Sequence, residues 1–192
     1  MRNAVSLRLS VVVAAGVLSW QPVQARVAVL SDEGIVLRYV AAVPGPPEKT
    51  WDALVTPASW WDGAHTYSGD AANLNIDPRP GGCFCETLPA HGGGGGRNRG
   101  GVEHMQVIHA DRGKLLRMSG ALGPLQADAV QGTMTFSLGP DGGGTRIVAE
   151  YVLAGYARSG LGRIAPAVDA VLETQIGRLA AVLGGKIEQE AK

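Results

Sequence analysis

Cys83-Phe84-Cys85-Glu86 packs the most reactive chemistry into the fewest residues. Two residues apart on a strand share a face with Cα atoms about 6.6 Å apart, the upper edge of what a disulfide spans. The spacing leaves two readings open: a pair of small packed thiols, or a bridge that needs a bulge to shorten the gap. A redox-catalytic role lacks the helix-borne Cys-x-x-Cys setting. His65, His91, His104 and His109, with Cys83 and Glu86, carry atoms that ligate metals, but no spacing among them matches a ligand pattern. His104 and His109 lie five apart in one strand candidate, which regular alternation sends to opposite faces. No metal or other cofactor is therefore expected.

The sequence contains no Gly-x-Ser-x-Gly turn, so the serine-hydrolase elbow is unsupported. The run from Gly92 to Gly96 lacks the Gly-Lys-Ser ending of a phosphate cradle and reads as a flexible hairpin loop. What remains is acid–base work by a few polar groups held in apolar surroundings, for which His65, Tyr67, Arg117, Glu150 and Tyr151 are candidates. Each alone reads as a turn, surface or core-rim residue, so no catalytic residue is assigned.

Trp51, Trp60, Trp61 and Tyr67 gather four of the few aromatics within a short stretch. Trp51 falls on the apolar face of a helix and reads as a core anchor. Trp60 and Trp61 are adjacent and cannot both face inward from one short helix, so one is expected at an opening. Met105, Met118 and Met134 lie in strand candidates and, facing inward, would give a pocket adaptable walls.

The elements that must position these residues are those of one domain. The chain has 192 residues, 45% hydrophobic and 18% charged, with 17 basic against 17 acidic side chains and 2 cysteines. Zero formal charge without a basic stripe removes the electrostatic footprint of nucleic-acid or anionic-membrane binding. Two cysteines exclude a disulfide framework or a four-thiolate zinc site as the source of stability. Arg2 and Arg8 precede an apolar run from Leu9 to Leu18 that breaks at Gln21-Pro22 and ends in Val23-Gln24-Ala25. This predicts a signal peptide over residues 1–25 and a single domain over 26–192, periplasmic or secreted, with no stable membrane anchor after cleavage. The run is half the roughly 20 apolar residues that a membrane span requires.

Residues Gly34 to Val43 predict a strand, and Pro44-Gly45-Pro46-Pro47 ends it. Pro47 and Glu48 suit a helix start carrying Trp51, Leu54 and Val55 on one face. A second short helix is expected from Thr56-Pro57 to Gly63. Strands follow at Ala72 to Ile76, Gly82 to Leu88, Val102 to Ala110, Lys114 to Gly120, Ala127 to Leu138 and Thr145 to Leu153. Val130, Met134, Phe136 and Leu138, and then Ile147, Ala149, Tyr151 and Leu153, are expected to face the core. From about Ala165 to Glu190 apolar residues recur at helical spacing, with Gly184-Gly185 as a stop inside that range. The order implies an α+β helix-grip arrangement: a curved antiparallel sheet wrapped around a long C-terminal helix, with two short helices after the first strand.

Pro47-Glu48-Lys49-Thr50-Trp51-Asp52-Ala53-Leu54, the Trp60-Trp61 pair, Pro80-Gly81-Gly82, Gly144-Thr145 and the terminal Val168-to-Leu172 and Gln175-to-Leu179 runs together resemble the SRPBCC, or START-like, superfamily. The resemblance is to its polyketide cyclase and chaperone ATPase activator-like branch. It implies a deep apolar cavity between sheet and long helix, used across the superfamily for lipids, sterols, polyketides and other hydrophobic small molecules. The residues expected around it are Trp60, Trp61, Tyr67, Met105, Arg117, Met134, Phe136, Tyr151, Val168 and Leu172. An exported carrier or sensor of a hydrophobic small molecule follows. A cyclase or aromatase using acid–base groups in the same cavity is the alternative, and the leader argues against chaperone-cofactor action. No oligomeric state is assigned.

Overall fold

The computed structural model describes residues 27–31, 33–90 and 99–188. The expected signal peptide, His91 and Gly92 to Gly96 lie outside the described residues. The strands are β1 (Val27–Leu30), β2 (Gly34–Pro44), β3 (Leu74–Ile76), β4 (Cys83–Ala90), β5 (Arg99–Asp111), β6 (Leu115–Ser119), β7 (Ala129–Asp141), β8 (Gly144–Tyr156) and β9 (Lys186–Ile187). The helices are α1 (Pro47–Leu54) and α2 (Leu161–Val182). All strands join one antiparallel sheet in the order β1-β2-β8-β7-β6-β5-β4-β3, with β9 beside β1 on the free edge of β2. The architecture is the helix-grip α+β fold that the element order predicts.

Period-two patterning builds the sheet. Val130, Met134, Phe136 and Leu138 of β7, and Ile147, Ala149, Tyr151 and Leu153 of β8, are all buried as their alternation requires. Gly142 and Gly143 join these two strands with φ of 55° and 91°, the two positive values of a tight hairpin turn. Ile35, Leu37, Tyr39, Ala41 and Val43 extend the same buried face into β2.

α2 lays Leu161, Ala165, Leu172, Ile176 and Leu179 on this face. The Tyr39 hydroxyl pins its middle by donating to Asp169 Oδ1 at 2.6 Å. The helix starts a turn earlier than periodicity predicts, with Pro166 inside it, and stops at Val182 instead of running on to Glu190. Gly184, at φ 80°, supplies the left-handed stop, and Gly185 N–H closes the end on Ala180 O at 2.8 Å. The chain then turns back as β9.

The helix expected from Thr56 is only a 3-10 turn at Pro57–Ser59, because Thr56 does not cap it: its hydroxyl donates backward to Asp52 O at 2.8 Å. Asp62 instead caps the next turn, Gly63–His65, accepting from Ala64 N–H at 3.0 Å. The first residues of the strand expected from Ala72 form another 3-10 turn, capped by Asp70. β1 and β9 are additions that the sequence pattern did not indicate.

β5 carries an extra residue against each of its two neighbours. Phe84 pairs with Met105 but Cys85 with Glu103, leaving His104 as an extra residue, and Ile108 is a second one opposite β6. Beside the first bulge the Cα atoms of Cys83 and Cys85 are 5.3 Å apart and the two sulfurs form a disulfide. Of the two readings left open by the spacing, the bridged one holds.

Candidate functional site

α2 organises the aromatic segment through two side chains. Gln175, fully buried, accepts from Asp62 N–H at 2.8 Å and donates its amide to His65 Nδ1 at 2.8 Å. Arg178 Nε donates to Trp60 O at 2.8 Å. Trp60 turns back into the core, its indole N–H donating to Ala53 O at 3.0 Å. Trp61 turns the other way, half-buried, with its indole N–H on His65 O at 3.1 Å. The adjacent tryptophans divide as expected, although both lie past the 3-10 turn and not in a helix: one anchors, and the other stands at an opening.

That opening leads to a cavity of about 580 Å³, within the size range of small-molecule sites. Its walls are the 61–67 segment, the 122–125 segment after β6, His104, and the α2 side chains Arg163, Ile164, Ala167, Val168, Val171 and Leu172. The middle of the sheet is solid by contrast. Trp60, Trp61, Phe84, Met105, Met118, Met134 and Phe136 enclose only about 10 Å³, no more than one water needs.

The expected site residues therefore separate. Trp61, Tyr67, Val168 and Leu172 border the large cavity. Trp60, Met105, Met134 and Phe136 surround the small void instead, because the sulfur and aromatic side chains of the inner face interdigitate across it. Arg117 stands on the outer face of the sheet, where strand alternation puts it opposite Leu116 and Met118, and its Nε donates to Thr135 Oγ1 at 3.0 Å. Glu150 is on that outer face too, paired with Arg38 and Thr135 in register. Tyr151 is fully buried beneath the cavity, its hydroxyl accepting from Leu122 N–H at 3.4 Å. Burial pushes that hydroxyl up to about 12, against a smaller opposing effect of the Leu122 amide. It is a neutral hydroxyl at ordinary pH.

The polar feature of the cavity wall is a pair not among the acid–base candidates of the sequence. His104 borders the cavity and Glu86 stands behind it, with His104 Nε2 3.0 Å from Glu86 Oε2. Glu86 is 1% exposed and His104 6%. The Glu86 carboxylate also accepts the backbone N–H groups of Tyr67, at 3.1 Å, and Ser68. Burial favours its neutral form, but the hydrogen bonds from Ser68, Tyr67 and His104 outweigh burial and hold the carboxyl below its usual range. Burial pushes His104 below the ordinary imidazole value, against the pull of Glu86. The pair is thus carboxylate and neutral imidazole near neutral pH. Tyr67 lies over the His104 ring, centroids 6.1 Å apart and planes 16° from parallel, and Phe84 packs against it with centroids 5.2 Å apart.

On the outer face Cys83, Cys85 and Glu103 bring their ligating atoms close together, but the two sulfurs are bonded to each other. No helix among the described residues is long and apolar enough to cross a membrane.

Solved structures share this fold. Protein MLL2253 from Mesorhizobium loti is 19% identical and matches with a TM-score of 0.52 over 78% of this chain and 96% of its own. SA2116 from Staphylococcus aureus is 12% identical, with a TM-score of 0.56 over 79% of this chain and 94% of its own. DynU16, a protein in the dynemicin biosynthetic locus, is 16% identical, with a TM-score of 0.51 over 78% of this chain and 47% of its own. A sequence search of curated proteins finds no match. The family model described as Activator of Hsp90 ATPase homolog 1-like protein matches residues 44–184, which span α1 through the end of α2. With the helix-grip sheet and α2 in place, that match shows that the chain belongs to the Hsp90 ATPase activator homolog 1-like family of the SRPBCC superfamily.

Proposed function

We propose that the protein is an exported binding protein that holds a hydrophobic small molecule, of lipid, sterol or polyketide-like kind, in the cavity beside the first half of α2. The observation that carries this reading is the cavity itself: about 580 Å³, bordered by Trp61, Leu122, Leu125, Ile164, Val168 and Leu172. Each Å² of apolar ligand surface removed from water there contributes roughly 25 cal/mol. Orientation then falls to the few polar groups of the wall.

The test has two arms. Native mass spectrometry of the protein purified from its own host, with organic extraction, should recover a stoichiometric apolar compound, and N-terminal sequencing of the same material should begin after Ala25. The neutral fluorescent probe N-phenyl-1-naphthylamine should bind, and Val168→Trp, which puts an indole into the cavity, should weaken binding by more than tenfold. An empty protein that ignores the probe would overturn the reading.

A cyclase- or aromatase-type enzyme is the second reading. Its support is the Glu86–His104 pair at the cavity wall, a carboxylate-oriented imidazole of the type that serves as a general base.

A further inference from the structure

The Glu86–His104 pair fixes what kind of group a guest must present, given the reading above that the cavity receives an apolar molecule. The Glu86 carboxylate takes three hydrogen bonds, from Tyr67 N–H, Ser68 N–H and His104 Nε2. A carboxylate only accepts, so His104 Nε2 carries the proton of the neutral ring and Nδ1 carries a lone pair. Nothing among the described residues donates to Nδ1. One edge of the ring is on Glu86 and its faces are against Tyr67 and Phe84. His104 borders the cavity, and Nδ1 is the ring nitrogen that its bond to Glu86 leaves over.

We infer that the Glu86–His104 pair is a recognition point for a hydroxyl on a planar apolar ligand, a phenol or enol, whose O–H donates to His104 Nδ1. A carboxylate ligand brings no proton to donate and adds a second negative charge near Glu86. An ammonium would have to be stripped of water against a single acceptor, which is costly in an apolar cavity. A neutral O–H loses least water for the one bond it makes. Planarity follows from the walls: Trp61 borders the cavity and the Tyr67 ring lies nearly parallel to His104. The other titratable groups on the cavity border, His65, Tyr67 and Arg163, are all exposed, and His65 has its Nδ1 on Gln175.

The experiment is a calorimetric titration of the full chain with probes of one shape: naphthalene, 2-naphthol, 2-naphthoate and 2-naphthylmethylammonium. The expected result is that 2-naphthol binds about threefold to tenfold tighter than naphthalene, the worth of one net hydrogen bond. In His104→Phe, whose ring keeps the place between Tyr67 and Phe84, that preference should vanish while naphthalene binding stays. Equal binding of the two probes by the unaltered protein, or a preference that survives His104→Phe, overturns the inference and leaves the apolar cavity standing. Tighter binding of the naphthoate or the ammonium overturns the ligand class. Failure of every probe removes the cavity reading and this inference with it.

Nitrogen-15 spectra of the unaltered protein test the same point without a variant. Nδ1 should resonate as an unprotonated ring nitrogen and shift on adding 2-naphthol but not naphthalene. A proton on Nδ1 in the free protein overturns the inference.

Discussion

Two regions of the interior are bordered by similar apolar residues and pack differently. Around Met105, Met118, Met134 and Phe136 the side chains close on one another and leave about 10 Å³. Beside Trp61, Tyr67, Leu122 and the first half of α2 they leave about 580 Å³. Hydrophobicity does not separate these regions. What does is that the first is built from neighbouring strands of the sheet, whose side chains interdigitate, whereas the second is bordered by turns and by α2. Gln175 bonds Asp62 N–H and the His65 side chain, and Arg178 bonds Trp60 O, so the 60–65 segment is tied to α2 by polar contacts instead of by packed apolar ones.

The largest effect expected from this contrast is on stability. Phe136→Ala should cost about 3–5 kcal/mol in chemical denaturation, because the packed region cannot collapse into the space it leaves. Val168→Ala, at the wall of a space already empty, should cost less than about 1 kcal/mol while weakening N-phenyl-1-naphthylamine binding. Equal losses would erase the distinction between the two regions.

Acid should act on the hollow end first. His104 titrates below its ordinary value of 6.5 in the folded chain and Glu86 below 4.5. Folding therefore gains from both groups above those values and loses the gain as pH falls, His104 below 6.5 and then Glu86 below 4.5. The melting temperature across an acid titration should fall in these two stages, and His104→Phe should remove the first.

The smallest effect belongs to neither region. Arg112→Ala breaks an exposed ion pair with Asp52 at 2.7 Å and should shift stability by less than about 1 kcal/mol. A larger loss there would mean that α1 contributes more to the packed region through its surface than its burial of Trp51 and Leu54 suggests.

Regular strands were legible because period-two patterning is written locally: the buried sets of β7 and β8 follow from their own residues. β1 and β9 were not, since strands of four and two residues exist only as partners of the β2 edge. Bulges are a property of two strands at once. Alternation from Met105 and Val107 would turn His104 outward, and the extra residue opposite Phe84 and Cys85 turns it in. Glu86 carried a readable signal, since it shares a face with Phe84 two residues earlier, yet its partner did not. The same bulge sits beside the disulfide that the Cys83–Cys85 spacing could only leave open. Placing the guest along the inner sheet face assumed a uniformly hollow interior, and no single-strand pattern reports whether opposed side chains meet.

The Gln175 amide has both its oxygen and its nitrogen committed to one short flap of chain. An outward swing of that flap would have to release both bonds together, so one side chain of α2 ties down the 61–67 wall of the chamber.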